Sequence, residues 1–260
     1  MILAERYDAF LFDLDGVLYR GVEPIAEAPE AVARLRSLGK RVAFVTNNSS
    51  RTPEAVVDTL RDVGIAAIAD EVVTSALVTA DLMVGRGIVE VFVVGEEGIV
   101  DAMRAKGIRI ADGSPDRVEA VVVGLDRHVD YAKLTRASLL VERGAALVAT
   151  NADASFPAPD GAWPGAGALL AAIEATTGVR AEVVGKPHPP LLRAALDRAG
   201  GGRPLLVGDR LDTDIVGAAR LGWDSLLVLT GISTRDELET ASVSPTFVGD
   251  DLSALFRTPG

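Results

Sequence analysis

Ala9-Phe10-Leu11-Phe12-Asp13-Leu14-Asp15-Gly16 is an apolar run that ends on two carboxylates one residue apart, followed at once by a glycine. A short apolar run closed by a turn signal reads as a strand buried on both faces of a sheet. Similar runs recur along the chain, each followed by a longer amphipathic stretch. The spacing predicts strands at Ala9–Leu14, Arg41–Thr46, Glu71–Thr74, Glu90–Val94, Glu119–Gly124, Ala146–Thr150, Leu205–Gly208 and Ser225–Leu229. That alternation is the signature of an α/β protein with a parallel sheet. Between the strands, Pro24–Leu38 reads as a helix closed by Gly39 at C′, and Thr52-Pro53-Glu54 as N-cap, first-turn proline and first-turn acid of another.

Composition narrows the chemistry. The 260 residues carry 26 basic and 37 acidic side chains, a formal charge of -11, and no cysteine, which excludes disulfides, thiolate catalysis and cysteine zinc sites. Without a lysine or arginine cluster, neither a nucleic-acid nor an anionic-membrane partner is expected. No apolar run reaches the ~18 residues of a membrane span, and Met1–Leu18 lacks the features of a signal peptide, so a cytoplasmic protein acting on a small substrate is the default expectation.

The informative polar residues stand at the ends of strands: Asp13 and Asp15 after the first, Thr46-Asn47-Asn48 after the second, and Asp209 after Leu205–Gly208. Open α/β sheets bind ligands at that edge, where strand order reverses. The roughly 140 residues between Thr46 and Lys186 have their own alternation of strands and helices, so they read as an inserted domain. Carboxylates from two strand ends, without usable histidine or cysteine ligands, favour a hard cation, with Mg²⁺ the first choice. Such an ion commonly serves a phosphate. Lys186, in Gly185-Lys186-Pro187, offers a point charge for phosphoryl oxygens, and Thr46 and the amides after it offer donors. Singly, each motif has an ordinary reading as a turn, cap or loop; together, each at a strand end or loop, they point to one site.

Phe12-Asp13-Leu14-Asp15-Gly16-Val17-Leu18-Tyr19, Thr46-Asn47-Asn48-Ser49-Ser50-Arg51, Gly185-Lys186-Pro187 and Gly208-Asp209-x-x-x-Thr213-Asp214-Ile215 resemble the four motifs of haloacid dehalogenase (HAD) superfamily phosphatases. More narrowly, the chain resembles the NagD and p-nitrophenyl-phosphatase branch. Gly124-Leu125-Asp126 with Tyr131-x-Lys133-Leu134, Ala149-Thr150-Asn151-x-Asp153, and Pro164-Gly165-x-Gly167-Ala168 extend the match into the inserted region. The resemblance implies a Rossmann-like parallel-sheet HAD core from residues 1–77 and 183–260, with an α/β cap domain at 78–182 that contributes specificity.

It further implies Asp13 as the nucleophile forming an aspartyl-phosphate, and Asp15 as general acid and then base. Mg²⁺ would be held by Asp13, the backbone carbonyl of Asp15 and Asp209, with Asp214 orienting a metal-bound water and Lys186. Thr46, Asn47 and Lys186 would bind phosphate. The segment after Asn151 and Asp153 approaches the leaving group in the family, and an aromatic at Phe156 fits either an apolar substrate contact or packing within the cap. Caps of this type can mediate dimerisation, so a homodimer through the cap is the expectation by analogy.

Two other readings compete with a phosphatase for a small phosphorylated metabolite. A phosphosugar mutase of the same superfamily is disfavoured by the large cap. A catalytically weak phosphometabolite-binding protein predicts decay at a catalytic position, whereas Asp13, Asp15, Lys186 and Asp209 are all present. Gly165-x-Gly167 is half a dinucleotide fingerprint with Leu170 where the third glycine belongs and no suitable strand before it. No P-loop occurs. His128 reads as cap surface and His188 as a helix-start residue.

Overall fold

In the computed structural model of the chain, residues 1–113, 116–158 and 160–258 are described. In chain order the strands are β1 Ala9–Phe12, β2 Tyr19–Arg20, β3 Glu23–Pro24, β4 Arg41–Thr46, β5 Val72–Thr74, β6 Glu90–Val94, β7 Arg109–Ile110, β8 Ala120–Val123, β9 Ala146–Ala149, β10 Ser155–Ala158, β11 Gly161–Pro164, β12 Glu182–Val183, β13 Pro204–Gly208, β14 Asp224–Val228 and β15 Phe247–Gly249. The helices are α1 Ala28–Ser37, α2 Pro53–Asp62, α3 Ser75–Gly85, α4 Glu97–Ala105, α5 Tyr131–Glu142, α6 Ala166–Thr177, α7 Pro189–Arg198, α8 Val216–Leu221 and α9 Arg235–Thr240. The chain divides into two compact units: Met1–Thr46, Pro53–Val73 and Lys186–Gly260 form one, and Asn47–Thr52 with Thr74–Gly185 the other. No helix among the described residues is long and apolar enough to cross a membrane.

The first unit is built on a six-stranded sheet in the order β15-β14-β13-β1-β4-β5. All four residues of β1 are buried, as a strand covered on both faces requires. β1 pairs in parallel with β13 on one side and β4 on the other. From β1 the order runs outward through β4 to β5, and from β13 outward through β14 to β15. The β1/β13 boundary is therefore the switch point of the sheet. Phe10, Phe12, Phe44, Val207 and Val228 pack with Val32 and Leu35 of α1 in one apolar cluster.

Local chemistry moves several boundaries from those expected. β1 stops at Phe12, not Leu14, because the Leu14 carbonyl accepts from the amides of Val17, Leu18 and Tyr19 and turns the chain. The first helix begins at Ala28 rather than Pro24. Pro24 stands opposite Tyr19 in the short β2–β3 hairpin, and Pro29 is the proline that opens α1. Gly39 follows α1 at φ +68°, the left-handed C′ position expected of it. Glu71 lies in a 3₁₀ turn before β5, where its carboxylate accepts from the Ile68 amide and pairs with Arg36.

The second unit has a parallel sheet of its own, β12-β9-β8-β6-β7. Val94, Val121 and Val123 pack there against Ala137 and Leu140 of α5 and Leu170 and Ile173 of α6. The antiparallel β10–β11 hairpin was not anticipated, since prolines at 157 and 164 argue against strands. It sets Phe156 across from Trp163, edge to face with ring centroids 6.0 Å apart. The strand β11 precedes Gly165-x-Gly167, yet, as expected, it is not one that suits a dinucleotide site. It is a hairpin strand rather than the parallel strand of a dinucleotide fold. The glycines serve packing: a Cβ on Gly165 or Gly167 would stand 2.2 or 2.3 Å from the carbonyl oxygens of Asp153 and Ala152.

Candidate active site

Three of the motif carboxylates converge at the switch point. Asp13 follows β1, and its amide still donates to Val207 O of β13 (2.9 Å), which carries the pairing one residue past the strand. Asp209 follows β13, and Asp214 lies in a π-helical turn, Leu211–Ile215, that leads into α8. One oxygen from each of Asp13, Asp209 and Asp214 lies within 4.8 Å of the others. Gly208 is what allows this approach, because a Cβ there would fall 2.3 Å from Asp214 Cβ. Lys186 reaches into the cluster from the start of its segment, with Nζ 2.7 Å from Asp13 Oδ1 and 2.7 Å from Asp214 Oδ1.

The electrostatics follow from burial. Lys186, Asp209 and Asp214 are 3%, 1% and 0% exposed. Burial, then the charges of Asp13 and Asp214, push the Asp209 carboxyl up to about 8. Burial also drives Asp214 up to about 6, although the Lys186 ammonium pulls the other way. For Lys186, burial opposes the charged form, but Asp13 and Asp214 outweigh it and hold the ammonium above the ordinary lysine range. Three carboxylates around one ammonium leave two negative charges uncompensated when all are ionised.

Asp209 shows where compensation would enter. Its Oδ2 accepts from the Ile232 amide (2.8 Å), whereas its buried Oδ1 has no hydrogen-bond partner among the described residues. A buried carboxylate oxygen left unmatched costs free energy unless an ion or water meets it. An all-oxygen donor set with a surplus of two negative charges suits a hard divalent cation, so the residues fit the metal that the sequence motifs imply.

The remaining expected residues divide between the units. Thr46 closes β4, the strand beside β1, and is buried. Asp15 stands two residues past Asp13 in the same turn. Partial burial raises its pKa, against amide hydrogen bonds from Gly21 and Gly16 that lower it. Asp212 lies in the π-helical turn, exposed and paired with Arg210.

Asn47, Asn151, Asp153 and Phe156 belong to the second unit. There Asn47 Nδ2 donates to both Asp153 oxygens (3.3 and 3.2 Å), and Asn151 Nδ2 donates to Asn47 O (2.8 Å). The Gly124-Leu125-Asp126 segment is a clamp: buried Asp126 accepts from the His128 amide and pairs with Lys133. His128 is exposed, and His188 stands just before α7.

Sequence reasoning missed the loop after β14. Thr230-Gly231-Ile232-Ser233 falls in none of the sequence motifs, yet Gly231, Ile232 and Ser233 all touch Asp209 or the turn after it. Ser75 was also missed; its hydroxyl donates to Asn47 O (2.7 Å).

A family model described as haloacid dehalogenase-like hydrolase matches residues 10–109, and a second, HAD-hydrolase-like model matches residues 183–255. The acid sugar phosphatase of Staphylococcus saprophyticus is 39% identical over 256 residues, covering 97% of this chain and 98% of that protein. The glycerol phosphate phosphatase of Mycobacterium tuberculosis, in a crystal structure with magnesium, superposes with a TM-score of 0.93 at 37% identity, covering 99% of this chain and 79% of that one. The p-nitrophenyl phosphatase of Archaeoglobus fulgidus superposes at 0.90 with 35% identity, covering 96% and 98%. Similar at this level over almost its whole length, the chain belongs to the haloacid dehalogenase-like hydrolases, in their p-nitrophenyl-phosphatase branch.

Proposed function

We propose that the chain is a Mg²⁺-dependent phosphatase that hydrolyses a small phosphorylated metabolite through an aspartyl-phosphate on Asp13. The observation that carries this reading is the cluster of half-buried Asp13 and buried Asp209 and Asp214 beside Lys186, with Asp209 Oδ1 left unmatched among the described residues. Asp13, Asp209 and the Asp15 backbone carbonyl would hold the ion. When bound, it supplies positive charge to offset that of the phosphoryl oxygens.

The chain's own residues carry the rest. Lys186 fixes Asp13 through Oδ1 and adds a positive charge against the incoming anion. A carboxylate oxygen of Asp13 attacks phosphorus while the bond to the alkoxide breaks, and Asp15 gives that alkoxide its proton. The upward shift of Asp15 supports its availability as an acid. Water then attacks the phosphorus of the aspartyl-phosphate, Asp15 takes the water proton, and inorganic phosphate leaves with Asp13 restored.

Thr46, Asn47 and Lys186 are proposed to bind the phosphoryl oxygens, and Asp214 to orient Lys186. Residues 78–182 are proposed as a cap that selects the leaving group and excludes water from the first step. Within it, Asn151, Asp153 and Phe156 are assigned to the substrate by family resemblance. Their hydrogen bonds and ring contact also fit a role in shaping the Asn47 segment and the hairpin. A homodimer through the cap is part of the same proposal.

The test is release of inorganic phosphate from p-nitrophenyl phosphate with Mg²⁺ and with EDTA. Sugar phosphates, glycerol phosphate and phosphoglycolate would then be ranked by kcat/KM. Metal-dependent release is expected; no release from any of these esters with Mg²⁺ present would favour the binding-protein alternative.

A further inference from the structure

The Thr230–Ser233 loop holds Asp209 by one side only. Ile232 N donates to Asp209 Oδ2 (2.8 Å), and Ser233 N donates to Asp209 O (3.1 Å). Ser233 Oγ accepts from Leu211 N (3.1 Å), tying the start of the π-helical turn to the same loop. Two glycines press on that carboxylate from different segments. A Cβ on Gly231 would sit 1.9 Å from Asp209 Oδ2, and one on Gly16 would sit 2.3 Å from it. With Oδ2 enclosed and bonded, the carboxylate cannot turn, and Oδ1 is the oxygen left over.

The same loop reaches the turn after β1. Thr230 Oγ1 donates to Gly16 O (2.6 Å), and Arg20 Nε donates to Thr230 O (2.6 Å). Gly16 N donates to Tyr19 O (2.8 Å). Because a peptide group is planar, fixing the Gly16 N–H also fixes the Asp15 carbonyl at the other end of that bond, pointing the opposite way. Thr230 holds the next carbonyl along. Gly16 sits at φ +81°, so its turn has no side chain to lock it.

The geometry points to Thr230 as a positioning residue for the cation site, joining the turn that presents the Asp15 carbonyl to the loop that orients Asp209. This rests on the phosphatase reading, and on the Asp15 carbonyl and Asp209 as ligands. Besides the β1–β13 pairing and the Arg20 bond to Thr230 O, this hydroxyl ties together the segments that carry two ligands from different strands. Metal affinity commonly falls 10–100-fold when such a supporting group is removed.

The test is calorimetric titration of Mg²⁺ into the full chain and its variants, alongside the unfolding temperature without metal. Thr230→Val keeps the shape and removes the hydroxyl; about tenfold weaker Mg²⁺ binding is expected, with the metal-free unfolding temperature close to wild type. Thr230→Ser restores the donor and should restore the affinity. Gly231→Ala should weaken binding at least as much, since its Cβ must displace Asp209. The inference is overturned if Thr230→Val binds Mg²⁺ like wild type, if Thr230→Ser is as weak as Thr230→Val, or if Thr230→Val unfolds in step with its loss of affinity. Wild type that neither binds Mg²⁺ nor releases phosphate would instead sink the phosphatase reading itself.

Discussion

Two buried polar clusters, one in each unit, follow opposite rules. Around Asn47 the groups close on one another: its carbonyl accepts from Ser75 Oγ and Asn151 Nδ2, and its amide donates to Asp153. Around Lys186 three carboxylates crowd together, and Asp209 Oδ1 has no partner among the described residues. The first arrangement is what stability alone selects, since buried polar groups are normally matched. The second raises the free energy of the metal-free fold, and persists where a ligand repays it. The contrast is between a cluster whose groups meet one another and a cluster built to meet an ion, and variants in each can break it.

The largest effect is expected from Asp13→Asn. The amide keeps the size of the side chain and removes the nucleophile, so kcat should fall on the order of 10⁴-fold or more. The unfolding temperature should hold or rise, because one of the crowded negative charges is gone. Near-wild-type turnover would end the case for an aspartyl-phosphate. Asp214→Asn should act less severely. It weakens the hold on Lys186 at Oδ1 and leaves the Arg210 amide facing position 214. Mg²⁺ affinity should drop 10–100-fold, read by titration, and an unchanged affinity would remove Asp214 from the site.

The pH dependence tests the same crowding. Asp209 is ordinary in the unfolded chain, at 3.8, and raised to about 8 in the fold. Folding without metal therefore takes up a proton between those values, so stability is full below about pH 4 and is lost as pH rises towards 8. Mg²⁺ requires the ionised carboxylates and should stabilise the chain more at pH 8 than at pH 5. Unfolding temperatures with EDTA and with Mg²⁺ at both values read the effect, with Asp209→Asn as control. An equal tilt in that variant would show that another group is responsible.

What could be read from the sequence was what chemistry concentrates into short spacings. Asp13-x-Asp15-Gly16 and Gly208-Asp209-x-x-x-Thr213-Asp214 sit after strands because a parallel sheet presents that edge, and the strand pattern was plain. The β10–β11 hairpin was hidden by its prolines, and β2 and β3 by being two residues each. Thr230 and Gly231 were hidden for a different reason. One acts through a hydroxyl bonded to Gly16 O, 214 positions away, and the other through the absence of a Cβ beside Asp209, on the far side of α8 and β14, and neither leaves a local pattern. In the sequence, the Asn47–Thr52 segment follows the Arg41–Thr46 strand and leads to the helix capped by Thr52, yet its contacts group it with Thr74–Gly185.

The smallest effect tests the closed cluster. Ser75→Ala removes one donor to Asn47 O and leaves Asn151 Nδ2 in place, so the carbonyl stays satisfied. The loss should be that of a single buried hydrogen bond, about 1 kcal/mol, or a fall of roughly 2–4 °C in unfolding temperature for a chain of this size. Thr79 Oγ1, which donates to Ser75 O, depends on the backbone alone and should be undisturbed. Because Ser75 bonds the Asn47 backbone carbonyl and leaves the Asn47 side chain proposed to meet phosphate in place, kcat and Mg²⁺ affinity should both stay near wild type. A Ser75→Ala chain that keeps its stability but loses turnover would reverse the comparison, making the Ser75 hold on the Asn47 carbonyl part of the chemistry rather than of the scaffold.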